Sequence, residues 1–321
     1  MIIVTGGAGM IGSNIIRELN KIGIYDIIVV DNLNNGRKFL NLKNILFKDY
    51  FDKDDFLDKI LLNKIDFKID FIFHLGACSA TTEWDGRYLM KNNYEYSKIL
   101  LNFSVNSKIP FVYASSASVY GLNNSDFSEL ASNESPINMY AYSKLAFDNY
   151  VRTLLKNTKS LVVGLRYFNV YGPNESHKGS MASTIYHFSN QLVNGNIVKL
   201  FEGSEIYENG EQKRDFVYVK DCALTNLWFY HNTDPLNSGI YNIGTGQARS
   251  FNDVANEVIK YFRRGQIEYI AFPEHLLGAY QSYTCAEMFS LDNLTHNEIK
   301  FRNIEEGIHD YLSEIFPKVV V

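Results

Sequence analysis

Tyr140 and Lys144 stand four residues apart in Tyr140-Ala141-Tyr142-Ser143-Lys144. On a helix that spacing puts the phenol and the amine on one face. An adjacent ammonium favours phenolate, which would make Tyr140 a usable acid or base near neutral pH. Tyr-x-x-x-Lys is common by chance, but here it follows Phe111-Val112-Tyr113-Ala114-Ser115-Ser116, an apolar run ending in hydroxyls. The last of these, on Ser116, could hold a substrate oxygen beside the phenol. Such a set moves a proton to or from an alcohol or carbonyl, the step that accompanies hydride transfer.

A carrier for the hydride is written at the start of the chain. The apolar run at residues 2–5 leads into Gly6-Gly7-Ala8-Gly9-Met10-Ile11-Gly12, and an amphipathic segment follows. Gly7, Gly9 and Gly12 satisfy G-x-G-x-x-G, while Gly6, Gly9 and Gly12 satisfy G-x-x-G-x-x-G. Either register permits a tight turn, close backbone approach to a pyrophosphate, and a helix whose free N–H groups face the phosphates. Asp31, at the end of the next apolar run, suits the ribose hydroxyls of NAD. Arg37, Lys38 and Lys53 suit the 2′-phosphate of NADP, so these residues alone leave both cofactors open.

The elements that must position these groups alternate in type. Residues 2–5, 27–31, 71–77, 111–116 and 161–168 read as buried strands, and 11–21 and 94–107 carry helical spacing. That alternation predicts an α/β protein with a Rossmann-type doubly wound parallel sheet, its ligands at the carboxyl ends of the strands. Beyond residue 172 the pattern loosens, with helices expected at 181–193 and 251–263, strands at 216–219 and 240–244, and a polar loop at 205–212. The expected division is a dinucleotide-binding domain at 1–171 and a smaller α/β substrate domain at 172–321, with the chain crossing between them near 215–250.

Composition narrows the partners. The 321 residues are 46% hydrophobic and 21% charged, as in ordinary globular proteins, and the net charge of -5 offers no basic track for nucleic acid. No apolar run reaches the ~18 residues of a membrane span. The chain opens directly on a strand-like run without a signal-peptide pattern, so a cytoplasmic enzyme is expected. Cys78, Cys222 and Cys285 show no metal-ligand spacing and no even disulfide set, so no metal is expected.

The order glycine loop, strand-end serine, Tyr-x-x-x-Lys resembles the extended short-chain dehydrogenase/reductase family, and the likeness spans essentially the whole chain. Phe168-Asn169-Val170-Tyr171-Gly172-Pro173, the stretch from Arg214 to Asp221, and Tyr241-Asn242-Ile243-Gly244-Thr245-Gly246 are similar to that family's later motifs. The resemblance implies a catalytic triad of Ser116, Tyr140 and Lys144 acting on a nucleotide-linked sugar. Dehydratases of the family carry Thr-Asp-Glu where this chain has Ser116-Ala117-Ser118, which argues against dehydration.

Three further stretches, at 76–86, 177–183 and 199–204, resemble a narrower branch. Its members invert C-6″ of an ADP-linked heptose destined for lipopolysaccharide core. Oxidation to a transient ketone, rotation of the sugar and re-reduction by the same NADP are implied. So is a second acid/base at Lys178, which by spacing alone is a solvated loop lysine. The resemblance further implies cofactor contacts from Gly6, Gly9, Met10, Ile11, Gly12, Asp31, Asn32, Lys38, Lys53, Leu75, Gly76, Ala77, Cys78, Ser79, Asn92, Lys144 and Val170. Substrate contacts are implied for Asn169, Ser180, His187, Phe201, Glu202, Gly203, Ser204, Arg214 and Tyr280, and assembly as a homo-oligomer, a pentamer, is expected.

His187 and Tyr280 read equally well as core residues. Met10, Leu75 and Ala279 depart from the branch, where phenylalanine, glutamate and arginine occur, and residues 209–212 lengthen the loop before Arg214. A UDP-hexose 4-epimerase would keep Ser116, Tyr140 and Lys144 without needing Lys178. A non-catalytic NADP-sensing regulator would typically have lost Tyr140 or Lys144.

Overall fold

The computed structural model of the chain describes residues 1–123, 125–203, 206–273 and 280–317. Its strands are β1 (Ile2–Thr5), β2 (Ile27–Asp31), β3 (Asp49–Asp52), β4 (Phe71–His74), β5 (Phe111–Ser116), β6 (Val162–Tyr167), β7 (Asn169–Tyr171), β8 (Ile197–Phe201), β9 (Lys213–Tyr218), β10 (Gly239–Ile243), β11 (Ala248–Ser250) and β12 (Gln266–Ile270). The helices are α1 (Met10–Lys21), α2 (Phe39–Leu42), α3 (Lys53–Leu61), α4 (Gly86–Leu89), α5 (Tyr96–Asn106), α6 (Met139–Leu155), α7 (Thr184–Asn194), α8 (Val219–His231), α9 (Phe251–Phe262), α10 (Phe289–Leu294) and α11 (Ile304–Ile315).

Seven strands form one parallel sheet in the order β10-β6-β5-β4-β1-β2-β3. β1, β2 and β4 are buried along their whole length, as apolar runs without alternation require when both faces are covered. One face packs Ile15, Ile16 and Leu19 of α1 with Cys222, Leu227 and Phe229 of α8. The other packs Phe56 of α3, Leu100 and Leu101 of α5, and Phe147 and Val151 of α6. The strand order reverses between β1 and β4, which opens a crevice at their carboxyl ends.

The remaining strands form two small sheets, β11-β9-β7 and β12-β8. With α7, α9 and α11 they enclose a separate core around Ile185, Phe216, Val258 and Ile308. β10 and α8 arise from the later half of the chain yet belong to the large sheet and its covering layer. The helical spacing read over 181–193 resolves into a 3-10 turn, Ser176–Met181, and then α7, because Ser183 caps Tyr186 N and starts the helix later. The expected strand at 216–219 begins earlier, at Lys213. No helix among the described residues is long and apolar enough to cross a membrane.

Candidate active site

The strands of the large sheet deliver their carboxyl ends to a single cavity of about 1080 Å³ that continues onto the smaller part. Its floor is the glycine loop. Gly6 holds a left-handed φ of +66°, and a Cβ there would lie 2.7 Å from Gly76 N and Leu75 C. A Cβ on Gly12 would collide with the Gly6 carbonyl oxygen. Gly6, Gly9 and Gly12 line the cavity and Gly7 does not, so the fold selects the 6/9/12 register of the two that fit. α1 follows Gly9 as its N-cap, with no side-chain cap and no acidic residue in its first turn, which leaves its first N–H groups unspent.

Asp31 stands at the end of β2, buried, its carboxylate taken by Ala8 N at 2.9 Å and Lys38 Nζ at 2.8 Å. Lys38 also donates to the Asn32 carbonyl. Arg37 stays outside the cavity lining, whereas Lys53 lines it, paired with Asp54 and facing the Tyr96 ring. One cation, Lys38, is therefore bound to the carboxylate that would meet an adenosine ribose.

The candidate proton-transfer groups stand on β5 and α6. Asn138 caps α6 by accepting from Ala141 N at 2.8 Å, which sets the helical register that aligns Tyr140 and Lys144. Lys144 Nζ donates to the Ala114 carbonyl at 2.9 Å, and Ser118 Oγ donates to Ser116 Oγ at 2.9 Å. Burial lowers the Lys144 pKa to about 8, opposed by the Asp148 carboxylate. Burial raises the Tyr140 phenol above its ordinary value, opposed by the Ser116 hydroxyl. This corrects the expectation that the ammonium would pull the phenol down: desolvation of a phenolate outweighs the neighbouring groups, so Tyr140 rests protonated.

Lys178 reaches the same cavity from the 3-10 turn before α7. It is half-buried, not a solvated loop lysine, and burial lowers its pKa against the pull of Glu175. Leu75, Gly76, Ala77, Cys78, Ser79, Asn92 and Val170 also line the cavity, as do Met10, Ile11 and Asn32. At the far end stand Asn169, His187, Phe201, Arg214 and Tyr280. The Arg214 guanidinium lies over the Tyr280 ring at 4.7 Å and nearer the Phe251 ring than 6 Å, at 5.8 Å, and burial pushes its pKa down.

Three residues of the expected substrate set fall elsewhere among the described residues. Ser180 is exposed, with its carbonyl toward His187 Nε2. Glu202 points outward, and the Gly203 amide is spent on Asn209 Oδ1. None of the three lines the cavity; at the end of β8 the 209–212 loop folds back, and Gln212 Nε2 donates to the Glu202 carbonyl. Ser204 and Ala279 lie outside the described residues.

Several supporting groups carry no local sequence signal. Asn93, in a π-helical turn at Met90–Glu95, accepts from Cys78 N at 2.8 Å and donates to Cys78 O and to Ser143 Oγ, joining the 75–79 loop to α6. His74 is buried between Thr5 Oγ1 at 2.6 Å and Ser97 Oγ at 2.8 Å. Burial, then Lys144, holds its pKa at about 3, so it is a neutral strut. Asp148, one turn beyond Lys144, accepts from Tyr113, Ser115 and Arg166.

A family model described as the NAD dependent epimerase/dehydratase family matches residues 2–244. An ADP-L-glycero-D-manno-heptose-6-epimerase of Alkalilimnicola ehrlichii is 55% identical over 315 residues, covering 98% of this chain and 97% of that one. The crystal structure of the Helicobacter pylori protein of the same name is 32% identical, with a TM-score of 0.81 over 98% of this chain and 95% of that one. A UDP-N-acetylglucosamine 4-epimerase of Methanobrevibacter ruminantium is 25% identical, with a TM-score of 0.82 over 99% and 98% of the two chains.

Proposed function

This chain belongs to the NAD dependent epimerase/dehydratase family, and from that premise we propose that it is an ADP-glyceromanno-heptose 6-epimerase. The reaction is inversion of C-6″ in ADP-D-glycero-β-D-manno-heptose to give the L-glycero epimer, for lipopolysaccharide core. The observation that carries the reading is one cavity holding a glycine cradle, the Ser116–Tyr140–Lys144 set and, separately, Lys178.

The residues present fit a nicotinamide dinucleotide. The cradle around Gly6, Gly9 and Gly12 has no room for a Cβ at Gly6 or Gly12. Uncapped α1 amides face phosphate, and Asp31 with Lys38 would meet the adenosine ribose. Lys38 supports NADP over NAD, since an ammionium at that carboxylate offsets its repulsion of a 2′-phosphate. Bound there, the dinucleotide supplies a hydride acceptor that can also give the hydride back.

The protein's own work is proton handling on two faces. Tyr140 exchanges a proton with the C-6″ oxygen presented on its side: the neutral phenol, the form burial favours, gives it to the ketone oxygen on reduction, and the phenolate takes it from the alcohol on oxidation, with Ser116 hydrogen-bonded to the same oxygen. Lys144 fixes the strand end through Ala114 and holds positive charge near the phenol. Lys178, its pKa lowered by burial, handles the oxygen when the sugar presents the opposite face. One base does not easily serve both orientations of the C-6″ hydroxyl, which is the reason this reaction, unlike 4-epimerisation, calls on a second group. Arg214 suits the substrate pyrophosphate through its paired N–H groups.

Turnover of ADP-D-glycero-manno-heptose, followed by NMR of the two epimers, tests the assignment, with UDP-galactose as the competing substrate. Preference for the UDP sugar would transfer the chain to the 4-epimerases. Tyr140→Phe should lower kcat by ~10²–10⁴-fold, and undiminished turnover would remove the phenol from the chemistry. Mass spectrometry of nucleotide co-purifying with the protein decides between NADP and NAD.

A further inference from the structure

Lys178 sits in a turn too short to hold a side chain by itself, and the turn breaks at Gly179, where φ is +56°. Its neighbours must place it. From one side the 173–177 segment is fastened to α1 and to the chain after β2. Asn14 donates to the Pro173 carbonyl at 3.0 Å, Asn174 donates to Ser13 Oγ at 2.9 Å, and Asn35 donates to the His177 carbonyl at 3.1 Å. Asn41, on α2 and buried, occupies the centre. Its amide nitrogen is 2.9 Å from the Ala8 carbonyl in the glycine loop, 3.2 Å from the Asn174 carbonyl and 3.1 Å from His177 Nδ1. From the other side Glu175 accepts from Gly172 N, Ser183 N and Ser183 Oγ, tying the segment to the start of α7.

We propose that Asn41 is a positioning residue for Lys178: its amide joins the floor of the dinucleotide cradle, at Ala8, to the turn that carries the amine. The proposal rests on Lys178 being the second acid/base. It follows from where the ties lead. The side-chain amide contacts of Asn41 run to the cradle and to the residues just before Lys178, so the amine is referenced to the same backbone that would seat the cofactor.

The charges around the turn agree with this arrangement. Lys178 has Glu175 on its own segment and His177 beside it, with Lys38 and Asp31 across from the end of β2. Burial, then Lys38 and Lys178, lowers the His177 pKa, against Asp31 and the Asn174 backbone. A neutral imidazole in its Nε2–H tautomer keeps Nδ1 able to accept from Asn41. Without Asn41 the turn loses its tie to Ala8 and water gains access to Lys178. Its lowered pKa then rises toward the ordinary value, and the amine drifts from the reacting carbon. A misplacement of about 1 Å costs as much as ~10²-fold in rate.

The test uses the full chain with Asn41→Ala, Lys178→Met and the double variant. Asn41→Ala should lower kcat roughly 10–100-fold with dinucleotide Kd held within about threefold. In the Lys178→Met background the same substitution should change the residual rate less than about twofold, because a positioning effect vanishes with the group positioned. Labelling of Lys178 by an amine reagent, read by mass spectrometry against pH, should show its midpoint move upward in Asn41→Ala. An equal loss in both backgrounds, or an unmoved labelling midpoint, overturns the proposal. Should Asn41→Ala fail to fold, Asn35→Ala removes a neighbouring tie and should shift the same readouts in the same directions by less. If the unaltered protein epimerises no ADP-heptose, the functional reading falls, and the labelling midpoint still decides Asn41.

Discussion

Asp148→Asn should destabilise the fold and shift the pH dependence of catalysis together, because one carboxylate serves both. Asp148 is fully buried and accepts from Tyr113 OH at 2.9 Å, Ser115 Oγ at 2.9 Å, Arg166 Nε at 3.0 Å and Arg166 Nη2 at 2.9 Å. It joins α6 to β5 and β6 directly behind Ser116 and Lys144. Arg166 is also fully buried and is shared with Glu134, which additionally pairs with Arg152. An asparagine amide would aim two donors into a shell of donors and leave half the Arg166 charge unmatched. Breaking a buried pair by altering one partner costs about 3–5 kcal/mol. With unfolding entropy near 2.1 cal/mol/K per residue, a chain this long loses roughly 4–7 °C in Tm. The second effect is electrostatic. Asp148 is the group that opposes desolvation of Lys144, whose pKa is about 8. Removing its negative charge disfavours the ammonium, so that pKa falls and the alkaline limb of kcat, where the ammonium is lost, moves to lower pH. Differential scanning fluorimetry and a pH–rate profile measure the two effects. A Tm within 2 °C of the parent with an unmoved alkaline limb would refute the reasoning.

Gly12→Ala places a Cβ against the Gly6 carbonyl oxygen and 2.9 Å from Gly7 Cα, so the cradle must open. Dinucleotide affinity by calorimetry should fall at least ~100-fold, the order set by 1–3 kcal/mol of overpacking together with lost phosphate contacts, and binding within threefold of the parent would contradict the cradle. Lys38→Ala removes a charge-assisted partner worth about 1.5–3 kcal/mol, so NADP affinity should drop roughly 10–100-fold while NAD changes little. Equal weakening of both would remove Lys38 from cofactor choice.

What was legible in the sequence was whatever short-range spacing encodes. Unbroken β-branched runs at 2–5 and 27–31 mark strands covered on both faces, the glycine run marks a turn into α1, and the four-residue step from Tyr140 to Lys144 marks one helical face. α8 was not legible, because its apolar residues occur on several sides and show no clean period. Nor was the glycine register, since both candidates fit until Gly76 closes against Gly6.

The sequence by itself determined the chemistry-bearing residue types and the parallel α/β sheet, since both follow from patterns a few residues long. Only the tertiary structure decided that burial raises the phenol at Tyr140. It alone brought Lys178 into the cavity, and it alone tied that lysine's turn to Ala8 through Asn41, 133 residues before Asn174. Desolvation depends on everything that surrounds a group, and a hydrogen bond across more than a hundred residues leaves no period in the chain. Such properties come into being when the layers close.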